Sequence, residues 1–397
     1  MNTRLVIIFL TVFIDLLGFG IIIPILPNYV IDLGGNSFLT GIIAGSFSLM
    51  NFIMTSYLGQ WSDKVGRRPV LLLTIAMNAL SYLVLAVANN IWLVLLSRII
   101  AGIGSANISV AQAYIADTTP PEQRTRKMGL IGMAFGLGFI LGPPIGGFLK
   151  HINEHSGMMY VGLFTFSLCF INLISVYFLL KESNQHINAQ MKVSIEPVRN
   201  INKFINLPII KNYLWYGFVF ISAFSIFQVL STIFWNEHCL MNDKEIGLLF
   251  GFVGIMSIFW QAVGLKFILK ILDEHKIIIL ASILMSIALL SLVFINHQNL
   301  FPYIYIILFF ISMGNGLISP CITSLLSQKS NKSQTGALLG VFQSLNSLAR
   351  AIAPVIGGFL YDIHFAYPFV LSFLIMISSV YLIKSIYIYI KKNHKNA

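Results

Sequence analysis

The charged side chains of Asp15, Arg98 and Arg350 stand inside long apolar stretches of the sequence. A charge in lipid is costly and normally faces a partner, a cavity or a functional site. Asp15 is the only carboxylate well inside such a stretch, and loss of water disfavours the ionised form of a carboxyl group. Asp15 is therefore the candidate for exchanging a proton or sensing a cationic ligand. The alternative is a hydrogen-bonded structural acid.

Arg98 lies in the string LLSRIIAGIGSAN, close to the start of its apolar stretch. An arginine buried at this position requires a cavity or a partner. Alternatively, its long side chain extends along the helix and places the guanidinium at the membrane surface.

Uncharged amides form a second group of candidates. An amide facing lipid is costly, so amides inside apolar stretches predict a polar substrate cavity, and packing positions are the alternative. The candidate cavity residues are Gln112, Gln228, Gln261, Asn315, Gln343 and Asn346.

Membrane-spanning helices must position these residues. Hydrophobic residues make up 57% of the 397 residues and charged residues 10%, against about 25% charged in a soluble domain. A spanning helix needs roughly 20 mainly apolar residues. Such stretches lie at 5–27, 39–60, 70–88, 92–116, 128–149, 158–180, 208–235, 246–269, 276–295, 302–326, 335–360 and 366–390. The sequence predicts an all-α integral membrane protein with twelve transmembrane helices.

The distribution of basic residues predicts the orientation. Cytoplasmic loops are enriched in Lys and Arg. With both termini cytoplasmic, all but four of the 25 Lys and Arg residues fall on that side; the exceptions are Lys150 and Lys244 in opposite loops and Arg98 and Arg350 within spans. This asymmetry accounts for the net charge of +11 without a nucleic-acid partner.

The spans group into two similar halves. We expect a six-helix bundle over 1–180, a cytoplasmic linker over 181–207 and a second six-helix bundle over 208–397. The fifth span of each half ends on a proline followed by two glycines, in PPIGG and PVIGG. Transporters commonly combine such repeats around a site near the middle of the membrane.

The segment 59–69 reads GQWSDKVGRRP and lies after the second span. Gly59 and Gly66 permit a tight turn, and Asp63 beside Arg67 and Arg68 predicts a charge cluster at a helix end. The alternative is a solvated turn whose charges only orient the chain.

The fifth span is rich in glycine. Glycines four residues apart share one helix face and allow another backbone to approach closely, and a proline favours a bend. The residues of this pattern are Gly129, Gly138, Gly142, Pro143, Gly146 and Gly147.

These strings resemble the drug:proton antiporters with twelve spans in the major facilitator superfamily, and most closely the tetracycline-efflux branch. The resemblance is strongest over residues 1–150, including IADTTPPEQR at 115–124, and continues through QSLNSLARAIAPVIGG at 343–358. It implies the major facilitator fold of two pseudo-symmetric bundles. It also implies a conformational latch in segment 59–69, proton transfer or span packing at Arg98, and export, because the span-five pattern is typical of antiporters.

The sequence departs from that branch at three coupling positions. An acid in span three, a histidine in span eight and an acid in span nine are replaced by Ser81, Ser257 and Met285, whereas Gln261 is retained. The second copy of the signature loop is reduced to GLKFILKILDEHK at 264–276. Tetracycline itself is therefore not the expected substrate.

Together these features predict a monomeric, proton-coupled exporter of small organic molecules in a bacterial inner membrane, working by alternating access. The alternatives are a dedicated exporter of one metabolite, such as a siderophore or sugar, a proton-coupled importer, and a membrane-embedded enzyme or sensor. No Walker loop or nucleophile–base arrangement is recognisable. We therefore expect no enzyme activity, metal or cofactor, and a proton gradient as the energy source.

Overall fold

A computed structural model describes residues 3–152, 156–183, 207–329 and 335–395, so most of the predicted linker 181–207 lies outside it. Within these ranges the regular structure is helical. The α-helices are Thr3–Ile22, Leu26–Asp32, Ser37–Val65, Arg67–Ala86, Ile91–Gly104, Ile108–Thr118, Pro121–His151, Gly157–Leu179, Pro208–Glu237, Asp243–Phe259, Leu265–Ile268, Glu274–Ser291, Tyr303–Gln328, Thr335–Ile363 and Tyr367–Lys395. Short 3-10 segments occur at Ser105–Asn107, Leu292–Phe294 and His297–Asn299, and a π-helical turn at Trp260–Gly264.

Twelve helical segments of the described chain are long and apolar enough to cross a membrane, and each overlaps one predicted stretch. They are numbered here as spans 1 to 12. In order they are Arg4–Ile22, Ser37–Val65, Arg67–Ala86, Ile91–Thr118, Lys127–His151, Gly157–Leu179, Ile209–Glu237, Asp243–Ile268, Glu274–Phe294, Tyr303–Gln328, Leu338–Ile363 and Tyr367–Ile388. The prediction of an all-α protein with twelve spans is confirmed.

Span 1 ends earlier than the predicted residue 27. Its helix stops at Ile22, and a separate short helix, Leu26–Asp32, follows a turn. Pro24 and Pro27 account for the break. A proline lacks the N–H needed for the helical ladder and disfavours helical geometry in the residue before it.

The described chain forms two compact units. Unit 1 comprises Met1–Gly35, Ile43–Pro197 and Asn242–Gly251, and unit 2 comprises Asn36–Ile42, Val198–Met241 and Phe252–Ala397. Span 2 therefore begins in unit 2 and continues in unit 1, whereas span 8 does the reverse. In the predicted bundles, 1–180 and 208–397, span 2 lies wholly in the first bundle and span 8 wholly in the second.

Buried aliphatic and aromatic side chains from spans 1 to 6 form the core of unit 1. Val12, Leu71, Tyr114, Ala134 and Val176 are among them, none of them measurably exposed. Such packing between helices in lipid depends on close van der Waals contact. This core includes spans 1 and 4, which carry Asp15 and Arg98.

Candidate functional site

Asp15 lies in span 1 and is 4% exposed. Two asparagine amides donate hydrogen bonds to it. Asn78 Nδ2 donates to Oδ1 at 2.9 Å, and Asn107 Nδ2 donates to Oδ2. Each carboxylate oxygen thus has its own donor, which satisfies a buried charge in part without a cation.

Local sequence explains how the two amides reach Asp15. Asn78 projects from span 3, and Gly104 of span 4 packs directly against it, where any Cβ would collide with Asn78 Oδ1. Span 4 then changes from α-helix to 3-10 helix over Ser105–Asn107. The tighter winding of a 3-10 helix redirects side chains relative to the preceding turn, and Asn107 ends this segment.

Arg98 is 3% exposed, so the sequence alternative in which it reaches the membrane surface is wrong. Its guanidinium carbon lies 5.8 Å from the centroid of the Tyr82 ring, and its Nε donates to Ser97 Oγ at 3.2 Å. Nη2 has no hydrogen-bond partner among the described residues. The ring of Tyr82 partly compensates the buried cation by a cation–π interaction.

Arg98 and Asp15 are not joined directly. No ion pair found in the described part of the chain includes either residue. Tyr82 connects the two sites. Its ring faces the guanidinium of Arg98, and its hydroxyl packs over Gly18, three residues after Asp15 on span 1. The structure therefore brings the two predicted coupling residues into one buried polar region through Tyr82, Asn78 and Asn107.

The glycine face of span 5 packs on span 1 behind Asp15. A Cβ at Gly138 would lie 2.8 Å from the carbonyl carbon of Leu16, and one at Gly142 would lie 2.7 Å from that of Gly20. Gly146 meets the backbone of Ile21 in the same way. The predicted close approach of another backbone is present, and the neighbour is the span that carries Asp15.

Three residues of the span-five pattern behave differently from these glycines. Pro143 and Gly147 pack against the start of span 8, at Gly247 and Asp243. Gly129 has open space around it, since a Cβ there would meet nothing within 4 Å. Gly129 therefore takes no part in close packing.

The predicted charge cluster is present in unit 1. Arg67 Nη2 lies 2.5 Å from Asp63 Oδ1, and Arg67 Nε lies 3.0 Å from Asp117 Oδ2. The carboxylate of Glu182 accepts the backbone N–H groups of Arg67 and Arg68 at 2.9 and 3.0 Å. Arg67 is thus a buried link between three acidic side chains, two of which the motif does not contain.

Arg68 and the two glycines of segment 59–69 have separate roles. Arg68 Nη2 donates to the carbonyl oxygen of Tyr177 at 2.6 Å. Gly66 makes the turn, with a φ of +105° that only glycine adopts readily. Gly59, in contrast, lies inside the helix Ser37–Val65. The expectation that Gly59 helps form a turn was wrong, because the helix continues to Val65.

The candidate cavity amides are divided between the units, with Gln112 in unit 1 and the other five in unit 2. Gln112, Gln261 and Gln343 are exposed, whereas Gln228 and Asn346 are buried.

Asn315 joins spans 10 and 8, since its Nδ2 lies 3.4 Å from Ser257 Oγ. Gln261 belongs to the π-helical turn of span 8, one turn further along. Short π-helical turns are rare and often occur at functional sites. No sequence pattern indicated this turn.

The three positions that depart from the tetracycline-efflux pattern hold groups suited to packing. Ser81 donates to the backbone carbonyl of Asn78 at 2.7 Å, and Met285 is fully buried against Gly314. Ser257 contacts Asn315. None of them is ionisable near neutral pH.

The structure adds functional candidates that the sequence motifs did not indicate. They are Asn78, Tyr82, Asn107, Asp117 and Glu182. Asn78 and Asn107 carried a usable signal, because each is an amide inside an apolar stretch. Tyr82 had no such signal, and its contact with Arg98 depends on the packing of spans 3 and 4.

Comparison with known proteins identifies the relatives. The profile of the Major Facilitator Superfamily matches residues 8–354. The class E tetracycline resistance protein of Escherichia coli is 30% identical over 91% of this chain and 89% of its own length. The quinolone resistance protein NorA of Staphylococcus aureus is 25% identical over 100% and 98%.

Solved structures agree in fold. The nucleoside transporter NupG superposes with a TM-score of 0.78 at 10% identity and covers 97% of this chain and 100% of its own. The predicted resemblance to the superfamily and to tetracycline-efflux proteins is confirmed, and so is the prediction that the chain is not an enzyme. The chain belongs to the Major Facilitator Superfamily and is a multi-pass membrane transporter.

Proposed function

We propose that this transporter exports small, drug-like organic molecules in exchange for protons by alternating access. The observation that carries the proposal is the enclosed carboxylate of Asp15, held by Asn78 and Asn107 inside a membrane span. A group so enclosed is accessible to a proton or a water molecule, but not to a bulky substrate.

The coupling follows from how the two asparagines bind. Both amides donate to Asp15, which matches the ionised carboxylate. Protonation of Asp15 turns one oxygen into a donor, so one amide must rotate to offer its carbonyl oxygen instead. Because Asn78 and Asn107 lie on spans 3 and 4, protonation of Asp15 changes the hydrogen bond between span 1 and one of these two spans. A proton shifts the conformational balance only by binding the two states differently.

Export is favoured by two observations. The glycine and proline pattern of span 5, whose glycines pack on the backbone of span 1, resembles the pattern of antiporters. The relatives that align with nine-tenths or more of the chain carry the names of resistance proteins. The same bacterial relatives and the twelve spans support a place in the bacterial inner membrane. We infer cytoplasmic termini from the basic residues.

A dedicated exporter of a single metabolite is the second candidate. The changes to Ser81, Ser257 and Met285 favour it over tetracycline export, since these residues lack the polar coupling groups of that branch. A proton-coupled importer is the third candidate, and the direction of flux separates it from the others. We propose a monomer, with the proton gradient as the energy source.

Energised everted vesicles containing the protein test the proposal. A pH-sensitive dye reports collapse of the proton gradient when drugs, siderophores or sugars are added. We expect collapse with drug-like compounds in the wild type and none in Asp15→Asn at equal expression. Collapse by one compound class indicates a dedicated exporter. Unchanged proton-driven export in Asp15→Asn would remove Asp15 from the mechanism.

A further inference from the structure

Arg350 lies at the middle of the membrane-length part of span 11. It is the thirteenth of the 26 residues from Leu338 to Ile363, and its side chain is partly exposed in the protein without lipid. A cation at this depth is costly unless it faces a partner or an aqueous cavity.

Among the described residues, no carboxylate pairs with Arg350. The ion pairs found in the described part of the chain do not include it. The acidic residues of unit 2 all lie at or beside span ends; they are Glu237, Asp273, Glu274 and Asp362.

Each of these four acids already has a partner. Glu237 accepts from the hydroxyl of Tyr361 and Glu274 from that of Ser324, while Lys276 pairs with Asp273. Asp362 accepts the backbone N–H groups that open span 2. The cation of Arg350 is therefore uncompensated within its unit.

Arg350 shares a helix face with two of the candidate cavity amides. Gln343, Asn346 and Arg350 are spaced by three and four residues, which places them on one face of span 11. Ile352 and Phe359, on roughly the opposite face at about 100° per residue, are 43% and 55% exposed. Large exposed apolar side chains mark the lipid-facing side, so the polar face is turned away from lipid.

The outer end of the polar face is covered, and Arg350 lies inward of the covered part. The start of span 2 packs over its outer end, where a Cβ at Gly41 would collide with the carbonyl of Pro354. Arg350 lies one turn inward of Pro354.

Asn346 adds an unused polar group at the same place. It is 4% exposed, and its Oδ1 has no hydrogen-bond partner among the described residues. A buried amide with an unpaired atom is costly unless a ligand or water completes its bonds. An amide also offers both a donor and an acceptor.

We propose that Arg350, Asn346 and Gln343 form an anion-binding subsite that holds a carboxylate or sulfonate group of the transported molecule. The guanidinium supplies the charge and a fork of N–H donors, and the amides supply further hydrogen bonds. The transported class is then organic anions and zwitterions. That assignment rests on the proposed transport function, whereas anion binding at Arg350 does not.

A pair of probes that differ mainly in charge tests the subsite. Full-length protein in nanodiscs is titrated calorimetrically with naphthalene-2-sulfonate and with the neutral naphthalene-2-sulfonamide. In the wild type we expect the sulfonate to bind about tenfold or more tightly than the sulfonamide. Arg350→Gln should abolish that preference while keeping the sulfonamide affinity, and Arg350→Lys should retain part of it.

Lys384→Gln is the matched control, because it removes one exposed cation of the same unit outside the polar face; it should bind like the wild type. A wild-type protein that binds the sulfonate no better than the sulfonamide, including one that binds neither, contradicts the subsite. So does an undiminished preference in Arg350→Gln.

Proton-coupled flux in everted vesicles, measured separately, distinguishes the two proposals. If coupled export fails while the sulfonate preference depends on Arg350, the subsite stands and the proposed function falls. If coupled export works but no preference depends on Arg350, the subsite falls and the transport proposal stands.

Discussion

Asp15 in unit 1 and Arg350 in unit 2 are both charges inside membrane spans, and their surroundings differ. Asp15 is 4% exposed and receives a donor on each oxygen. Arg350 is partly exposed and has no ion-pair partner among the described residues. The enclosed group suits a proton, whereas the partly exposed group without an ion-pair partner suits a larger ligand.

Close packing produces this difference. Around Asp15, glycines on spans 4 and 5 lack side chains that would separate the helices. The glycine of span 4 therefore lies against Asn78, and the glycines of span 5 lie against the backbone of span 1. Helices in lipid associate through small residues of this kind. Span 11 has such contacts at its outer end, at Pro354, Gly357 and Gly358.

Among the variants that test this difference, a replacement of Asp15 should have the largest effect, and the property affected is proton-coupled transport. We expect Asp15→Asn to reduce proton-coupled transport to the background of empty vesicles, because the amide cannot carry the proton. Asp32→Asn is the matched control, since Asp32 is an acid of the same unit outside the spans that pairs with Lys150. Dye-reported flux at equal expression is the measurement, and comparable losses in both variants would contradict a specific role for Asp15.

An added methyl group should have different effects on stability at a closely packed glycine of span 5 and at an unpacked glycine of span 11. Gly142→Ala places a Cβ 2.7 Å from the backbone of Gly20 and should cost about 1–3 kcal/mol of stability. Gly340→Ala meets nothing within 4 Å and should be neutral or stabilising by up to about 1 kcal/mol, because alanine favours helix. Thermal unfolding in nanodiscs measures both, and equal responses would show that the two sites do not differ in packing.

The bond between Asn107 and Asp15 should be measurable by a double-mutant cycle. Asn107→Leu leaves one carboxylate oxygen without its donor and should cost about 1–3 kcal/mol. In the Asp15→Asn background the same change should cost less, because no ionised acid remains. Purely additive stabilities would indicate that Asn107 acts only through packing.

Removing the charge of Arg350 should have the smallest effect. It should stabilise the protein, whereas the preceding substitutions at packed or hydrogen-bonded sites destabilise it. An unpaired cation in a span destabilises the protein, so Arg350→Met should raise the free energy of unfolding of the unliganded protein by about 1 kcal/mol. Arg98→Met is the comparison in unit 1, and it should destabilise because it loses the contact with Tyr82. A lower stability of Arg350→Met would point to a partner for this arginine.

Much of the fold followed from the order of residues along the chain. Apolar stretches of membrane length located every span within a few residues, because lipid requires them to be long and continuous. The spacing of Gly138, Gly142 and Gly146 correctly predicted a close helix contact. The position of the turn after span 2 was less well predicted, since the helix incorporates Gly59 and only Gly66 adopts a positive φ.

Sequence determined which residues carry charge inside the membrane, since hydropathy and residue type are local properties. The tertiary structure decided what those charges contact. Asn78 and Asn107 are 63 and 92 residues from Asp15 along the chain, and only the packing of spans 1, 3 and 4 brings them together. The packing of spans 3 and 4 also gave Arg98 an aromatic neighbour, whereas Arg350 of span 11 has no ion-pair partner among the described residues. Helix spacing specifies a face but not the neighbour it meets.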